Sequence, residues 1–123
     1  MSPQPFRQIE PTPWPSGRGE AVAVIELSPE TFAREFGLRF FDGSDNLDLY
    51  VAAALRLPSG RQVGLLRHAG NPAPGTELHV DAKDDVVDAI REFIETFGLT
   101  ADELPWVRED VPMDHLRAAA AGD

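Results

Sequence analysis

Residues 47–68 read LDLYVAAALRLPSGRQVGLLRH, and this stretch decides the fold. Over residues 47–57 an aliphatic side chain occupies every second position, which places these side chains on one face of a β-strand. Pro58, Ser59 and Gly60 then turn the chain, and residues 61–68 predict a second, antiparallel strand. The stretch therefore predicts a β-hairpin with one apolar face.

Three shorter stretches outside this hairpin also predict strands. Residues 21–27 are a short stretch of mainly apolar residues, several of them β-branched. Residues 38–41 are apolar and aromatic apart from Arg39, and residues 77–82 alternate polar with apolar side chains. Residues 42–46 are a dense set of turn formers. Residues 69–76 contain two glycines and two prolines and so predict a loop, because proline cannot donate to a strand ladder.

Two helices are predicted from caps and apolar spacing. The first begins after Ser28, a capping residue, and ends at Gly37. The second carries apolar residues at helical spacing over residues 86–97, with Asp84 or Asp85 as its cap. Together the elements predict an α+β fold, an antiparallel sheet of three to five strands with two helices on one face. The other face is expected to point to solvent or to a partner, with the polar residues Tyr50, Arg56, Gln62 and His79.

The two ends of the chain differ in composition from the middle. Residues 1–19 contain five of the eleven prolines and predict a proline-rich, extended N-terminal arm. The arm also carries large apolar side chains, so it either docks on the domain or presents Trp14 to a partner. Residues 20–110 form the single predicted α+β domain, and residues 111–123 a polar tail that frays.

Negative charge is concentrated in one segment. The formal net charge is −10, and between Glu77 and Asp110 eleven carboxylates stand against only Lys83, Arg91 and Arg108. A segment with this surplus attracts basic partners and repels nucleic acid and anionic lipid. We therefore expect neither a nucleic-acid nor a membrane partner.

Composition also bounds the chemistry and the compartment. The chain has no cysteine and three histidines without paired spacing, so we expect no disulfide and no metal site. The sequence has no glycine-rich phosphate loop and no serine-hydrolase motif, so we expect no cofactor and no catalytic residue. The absence of an apolar leader or span predicts a cytoplasmic protein. Ten arginines against one lysine, with many alanines, are typical of a GC-rich bacterial genome.

The first functional hypothesis is a non-catalytic, acidic protein-binding domain. Small inhibitors and immunity-type proteins of bacteria use a negative field to speed association with a basic partner and to cover it. The predicted partner-binding residues are the acids of the second helix and of the segment after it, namely Asp84, Asp85, Asp88, Glu92, Glu95, Glu103, Glu109 and Asp110.

Two alternatives stay open. A small enzyme or ligand-binding domain could use Arg67, His68 and Asn71, which lie where a strand opens into a constrained loop, to bind an anion. In that case Asp45 or Asp48 would orient the histidine. The other alternative is an accessory subunit that the N-terminal arm attaches to a larger assembly.

Overall fold

One antiparallel sheet of seven strands is formed by the residues that the structure describes. The structure is a computed structural model and describes residues 6–11, 14, 21–44, 48–70, 75–114 and 116. The strands are β1 (Arg7–Ile9), β2 (Ala23–Ile25), β3 (Phe41–Ser44), β4 (Leu49–Arg56), β5 (Gln62–His68), β6 (Thr76–Val80) and β7 (Trp106–Val107). The helices are α1 (Pro29–Phe36), α2 (Val86–Phe97) and a short 3-10 turn (Ala101–Glu103). The predicted α+β class is confirmed.

The predicted hairpin lies at the centre of the sheet. The strand order is β1-β4-β5-β6-β2-β7, and β3 also pairs with β4. Along β4, β1 pairs with residues 54–56 and β3 with residues 49–52, so these two short strands share one edge of the hairpin. The prediction of three to five strands is therefore wrong, because it left out short strands whose pairing depends on the completed hairpin.

The predicted proline-rich arm is not a separate segment over the residues described. Residues 7–9 of it form β1, and Phe6 is buried, with its ring stacked on Phe97 at 4.7 Å between centroids. The Gln8 side chain donates to the carbonyl of Arg39 at 2.5 Å and accepts from its amide at 3.0 Å. These contacts make residues 6–9 part of the domain.

Two further boundaries differ from the prediction. The second predicted strand begins at Phe41 rather than at residue 38, and its turn formers Asp42, Gly43 and Ser44 pair with β4. Gly43 fits there because the Tyr50 ring occupies the space that a Cβ would need. The predicted loop ends earlier than residue 76, because Thr76 begins β6 and donates to the carbonyl of Leu27 at 2.7 Å.

Both predicted helices are confirmed, with their caps. The Ser28 hydroxyl accepts from the amide of Thr31 at 3.2 Å, and Gly37 ends α1 with φ of 71°. Of the two candidate caps of α2, Asp85 is the one used, because its carboxylate accepts from the amide of Asp88 at 3.0 Å. Gly98 ends α2 in the left-handed region, which glycine adopts without steric cost.

The core lies between the helices and one face of the sheet. Side chains from alternate positions of β2, β4, β5 and β6 cluster with those of α1 and α2, as the period of two requires. The largest fully buried members are Phe32, Phe93, Ile25, Leu55, Leu65, Leu78, Ile90 and Ile94. Val111 and Leu116 are also buried in this core, so the predicted polar tail contributes two apolar residues to it.

The opposite face of the sheet is partly covered by Trp14. Its ring lies over Gly64 of β5 and meets the His79 ring edge-on at 5.4 Å between centroids. His79, which was expected to point to solvent or to a partner, is only 3% exposed. The prediction for His79 is wrong because the alternation of residues predicts on which face of the sheet a side chain lies. It does not predict what covers that face.

Neither helix within the described part of the chain is long and apolar enough to cross a membrane.

The contact between Trp14 and Gly64 leads to a stability prediction. A Cβ at position 64 would overlap the indole ring, so Gly64→Ala should lower the free energy of unfolding by about 1–3 kcal/mol. In a Trp14→Ala background the same change should cost much less, because the obstructing ring is gone. Urea unfolding of the four proteins of this double-mutant cycle measures the coupling. Equal costs in both backgrounds would contradict the docking of Trp14 on β5.

Candidate functional site

The eight predicted partner-binding acids fall into two groups in the structure. Five of them bind other groups among the described residues, and the side chains of three have no partner there. The division matters because an acid that holds the fold is less available to a partner. Glu92 is the clearest member of the first group, since it accepts from the Ser59 amide at 2.8 Å, from the Ser59 hydroxyl at 2.6 Å and from Arg61 Nη1 at 2.9 Å.

The contacts of Glu92 join α2 to the turn between β4 and β5. Arg61 also approaches Asp84, with 3.8 Å between Nε and the carboxylate, and donates to the carbonyl of Asp88. The Glu92 side chain is only 17% exposed. We infer that Glu92, Arg61 and Asp84 orient the helix on the sheet, since hydrogen bonds to charged groups contribute more than neutral ones.

The other three acids of the first group act close to their own positions. Asp85 caps α2, and the Glu103 carboxylate accepts from the amide of Thr100 at 3.2 Å to complete a capping box. Asp110 accepts two hydrogen bonds from the Arg108 guanidinium, at 2.6 and 2.7 Å. This pairing lowers the pKa of the exposed Asp110 carboxyl below its usual value.

Asp88, Glu95 and Glu109 form the second group. All three are exposed, and within the described part of the chain their side chains have neither a hydrogen-bond nor an ion-pair partner. Asp88 and Glu95 stand seven residues apart on α2, roughly 10 Å along the helix axis. Both point away from the core, because the apolar stripe of α2 occupies the opposite side.

The alternative ligand residues lie at one end of the sheet. Arg67 and His68 line a cavity of about 520 Å³ between the start of α1 and the ends of β3, β4 and β5. Arg67 Nη1 donates to the carbonyl of Gly75 at 2.7 Å, so part of its donor capacity closes the adjoining loop. Asn71 lies outside the described residues.

Acidic side chains share this cavity. Its lining also includes Glu30, Asp42 and Tyr50. The Asp48 carboxylate accepts from the amides of Leu49 and Gly70 at the edge of this region. Asp45 lies outside the described residues. The mixed charge of the lining suits a ligand with polar and apolar parts better than a simple anion.

One partner of His68 is Glu77, which the sequence reasoning missed. One carboxylate oxygen of Glu77 lies 3.7 Å from Nδ1 of His68, and the other lies 3.1 Å from Nε2 of His79. The Nδ1 atom of His79 is buried and has no hydrogen-bond partner among the residues that the structure describes. The alternation of Glu77 and His79 along β6 was visible in the sequence, but the approach of His68 required the register between β5 and β6.

Glu77 is held in its charged form by these neighbours. The hydrogen bond with His79 is the main cause that lowers the pKa of Glu77, against the opposing effect of burial. Within the described part of the chain, no group of three or more His, Cys, Asp or Glu side chains has a metal-binding arrangement. The geometry therefore defines a buried polar network between two strands.

No protein-family model, curated protein or solved structure matches this chain.

The lowered pKa of Glu77 predicts a pH-dependent contribution to stability. Because the folded pKa lies below the ordinary value of 4.5, the carboxylate stabilises the fold above pH 4.5, and this contribution is lost as the pH falls through the folded pKa. Glu77→Gln should therefore cost about 1–2 kcal/mol at pH 7, by loss of charge-assisted hydrogen bonding, and less at pH 3.

Urea unfolding between pH 7 and pH 3 measures this difference, with Glu95→Gln as the control. The exposed Glu95 should give a small difference that changes little with pH. A Glu77→Gln difference that stays constant from pH 7 to pH 3 would contradict the role assigned to its charge.

Proposed function

We propose that the protein is a non-catalytic binding domain that covers a basic protein partner with the acidic outer face of α2. The observation that carries the proposal is the pair Asp88 and Glu95, two exposed carboxylates on one helix face that bind nothing in the described part of the chain. Charges that the fold does not use are available for a partner.

The rigidity of α2 supports the same proposal. The helix is capped at both ends, and Glu92 and Asp84 tie it to Arg61 beside the central hairpin. A charged surface on such an element loses little conformational entropy when it binds. Asp88 and Glu95 would then be fixed in position before a partner arrives.

The net charge of the chain supports a basic partner in particular. A formal charge of −10 on 123 residues produces a negative field that accelerates the encounter with a cationic surface and slows the encounter with an anionic one. Bacterial inhibitors or immunity-type proteins of basic toxins and nucleases are the class that this chemistry suits. In this proposal Glu109 adds to the field, whereas Asp84, Asp85, Glu92, Glu103 and Asp110 act mainly in the fold.

The proposal predicts the outcome of a capture experiment with charge-reversed variants. Asp88→Lys combined with Glu95→Lys should abolish salt-sensitive capture of a basic protein from a lysate of the source organism. Glu26→Lys combined with Glu35→Lys makes the same change in net charge at exposed positions outside α2 and is the matched control. Capture at low and at high salt, followed by mass spectrometry, gives the readout.

Wild type and control should retain the same basic protein and release it at high salt, because exposed ion pairs are screened. With the captured protein in hand, the α2 variant should also associate more slowly and with a weaker dependence on salt. Equal retention by all three proteins would contradict the role of α2.

A second candidate function is small-ligand binding in the cavity lined by Arg67 and His68. The observation that favours it is the coincidence of both residues with a cavity of about 520 Å³. A ligand there should perturb the NMR signals of Tyr50 and His68 and leave those of Asp88 and Glu95 unchanged. This pattern distinguishes the second candidate from the first.

A further inference from the structure

Two arginines lie opposite each other on the paired strands β1 and β4, at one edge of the sheet. Arg7 of β1 and Arg56 of β4 are direct cross-strand partners, so their side chains project from the same face of the sheet. Like charges in this arrangement repel, which destabilises the strand pair. The arrangement therefore calls for a group that compensates both charges.

The described part of the chain does not provide this group. Arg34, Arg61 and Arg108 each have a carboxylate within 4.0 Å, whereas Arg7 and Arg56 have none among the described residues. The Nε atom of Arg56 is buried and makes no hydrogen bond to any residue in the described ranges. Because buried polar atoms are nearly always hydrogen-bonded, the Arg56 guanidinium keeps donor capacity that the described residues do not use.

The surroundings of the two arginines add further donors. Gln62 of β5 is the cross-strand partner of Arg56 on its other side, so its amide projects from the same face. Arg7 and Arg39 line a cavity of about 430 Å³ with Phe41, and the Arg39 guanidinium lies 5.7 Å from the centre of the Phe41 ring. Glu10 is the one acid in that lining. Donors outnumber acceptors around Arg7.

We propose that Arg7 and Arg56 bind a small oxyanion, the phosphate or carboxylate group of a ligand, at the edge of the sheet. A planar guanidinium group matches both kinds of anion, and one anion between the two guanidinium groups would relieve their repulsion. Gln62 can donate to the same anion, and Arg39 with Phe41 would contact the remainder of the ligand.

The ligand is a compact anion rather than a nucleic acid. An extended polyanion must bring many phosphates close to a protein whose net charge is −10, and each such contact needs a cation. A compact anion needs only the local pair. The site is independent of the acidic face of α2, so either can fail without the other.

The test is an NMR titration of the full chain at low ionic strength and constant chloride. Inorganic phosphate and sodium acetate are the two probes, and the side-chain Nε–Hε signals of the arginines report binding directly. We expect the chemical shifts of Arg7 and Arg56 to change and then to reach a plateau as the anion concentration rises. The probe with the higher apparent affinity identifies the preferred anion.

Three variants complete the test. Arg7→Gln should weaken the apparent affinity for the better probe by about tenfold or more, because it removes a charge-assisted contact. Arg7→Lys keeps the positive charge but lacks the planar guanidinium group, so its apparent affinity should lie between those of wild type and Arg7→Gln. Arg34→Gln, at an exposed position on α1, should bind as wild type does. Arg7 is exposed at a strand end, so the fold should tolerate these changes, and the thermal midpoint of each variant checks this.

Saturation at Arg7 and Arg56 by either probe supports the site. The proposal is overturned if the signals of all exposed arginines, Arg34 included, shift alike without saturation. It is equally overturned if the shifts concentrate at Arg67 and His68, or if Arg7→Gln binds as tightly as wild type.

Discussion

The packing of α2 on the central hairpin is the interaction on which the rest of the structure depends. Its apolar stripe meets the buried face of β4 and β5, and the Phe97 ring contacts the rings of Phe6, Phe32, Phe36 and Phe93 within about 6 Å between centroids. One side chain thus joins α2 to α1 and to the start of the chain. Aromatic rings in such clusters contribute beyond their buried area, so this contact fixes the rotation of the helix.

The rotation of α2 then decides what each of its acids can do. With Ile90, Phe93 and Phe97 turned to the core, Glu92 reaches the Ser59 turn and Arg61, while Asp88 and Glu95 point to solvent. Positions 92 and 95 are three residues apart and chemically identical. Their different environments come from tertiary packing alone, and this difference carries the distinction between acids of the fold and acids available to a partner.

The sequence predicted the helices and the central hairpin, which depend on local signals. It did not predict the contacts that depend on the register between strands. Caps and glycine stops gave both helices, and the alternation over residues 47–57 gave the central hairpin. The second predicted strand was placed three residues too early, at residues 38–41, because turn formers are tolerated on a short edge strand, where Gly43 lies beneath Tyr50. The contacts of Glu77 with His68 and His79 and the pairing of Arg7 with Arg56 require the alignment of strands far apart in the chain, which no local pattern contains.

The central claim is that the acidic residues of this chain divide into a structural group and an available group. Carbodiimide labelling of carboxylates in the native protein, followed by mass spectrometry, measures the reactivity of each acid separately. The account predicts fast modification of Asp88, Glu95 and Glu109 and slow modification of Glu92 and Asp84, whose carboxylates are partly buried against Arg61. Modification of Glu92 as fast as that of Glu95 would contradict the account, because it would mean that α2 does not hold its acids in two different environments.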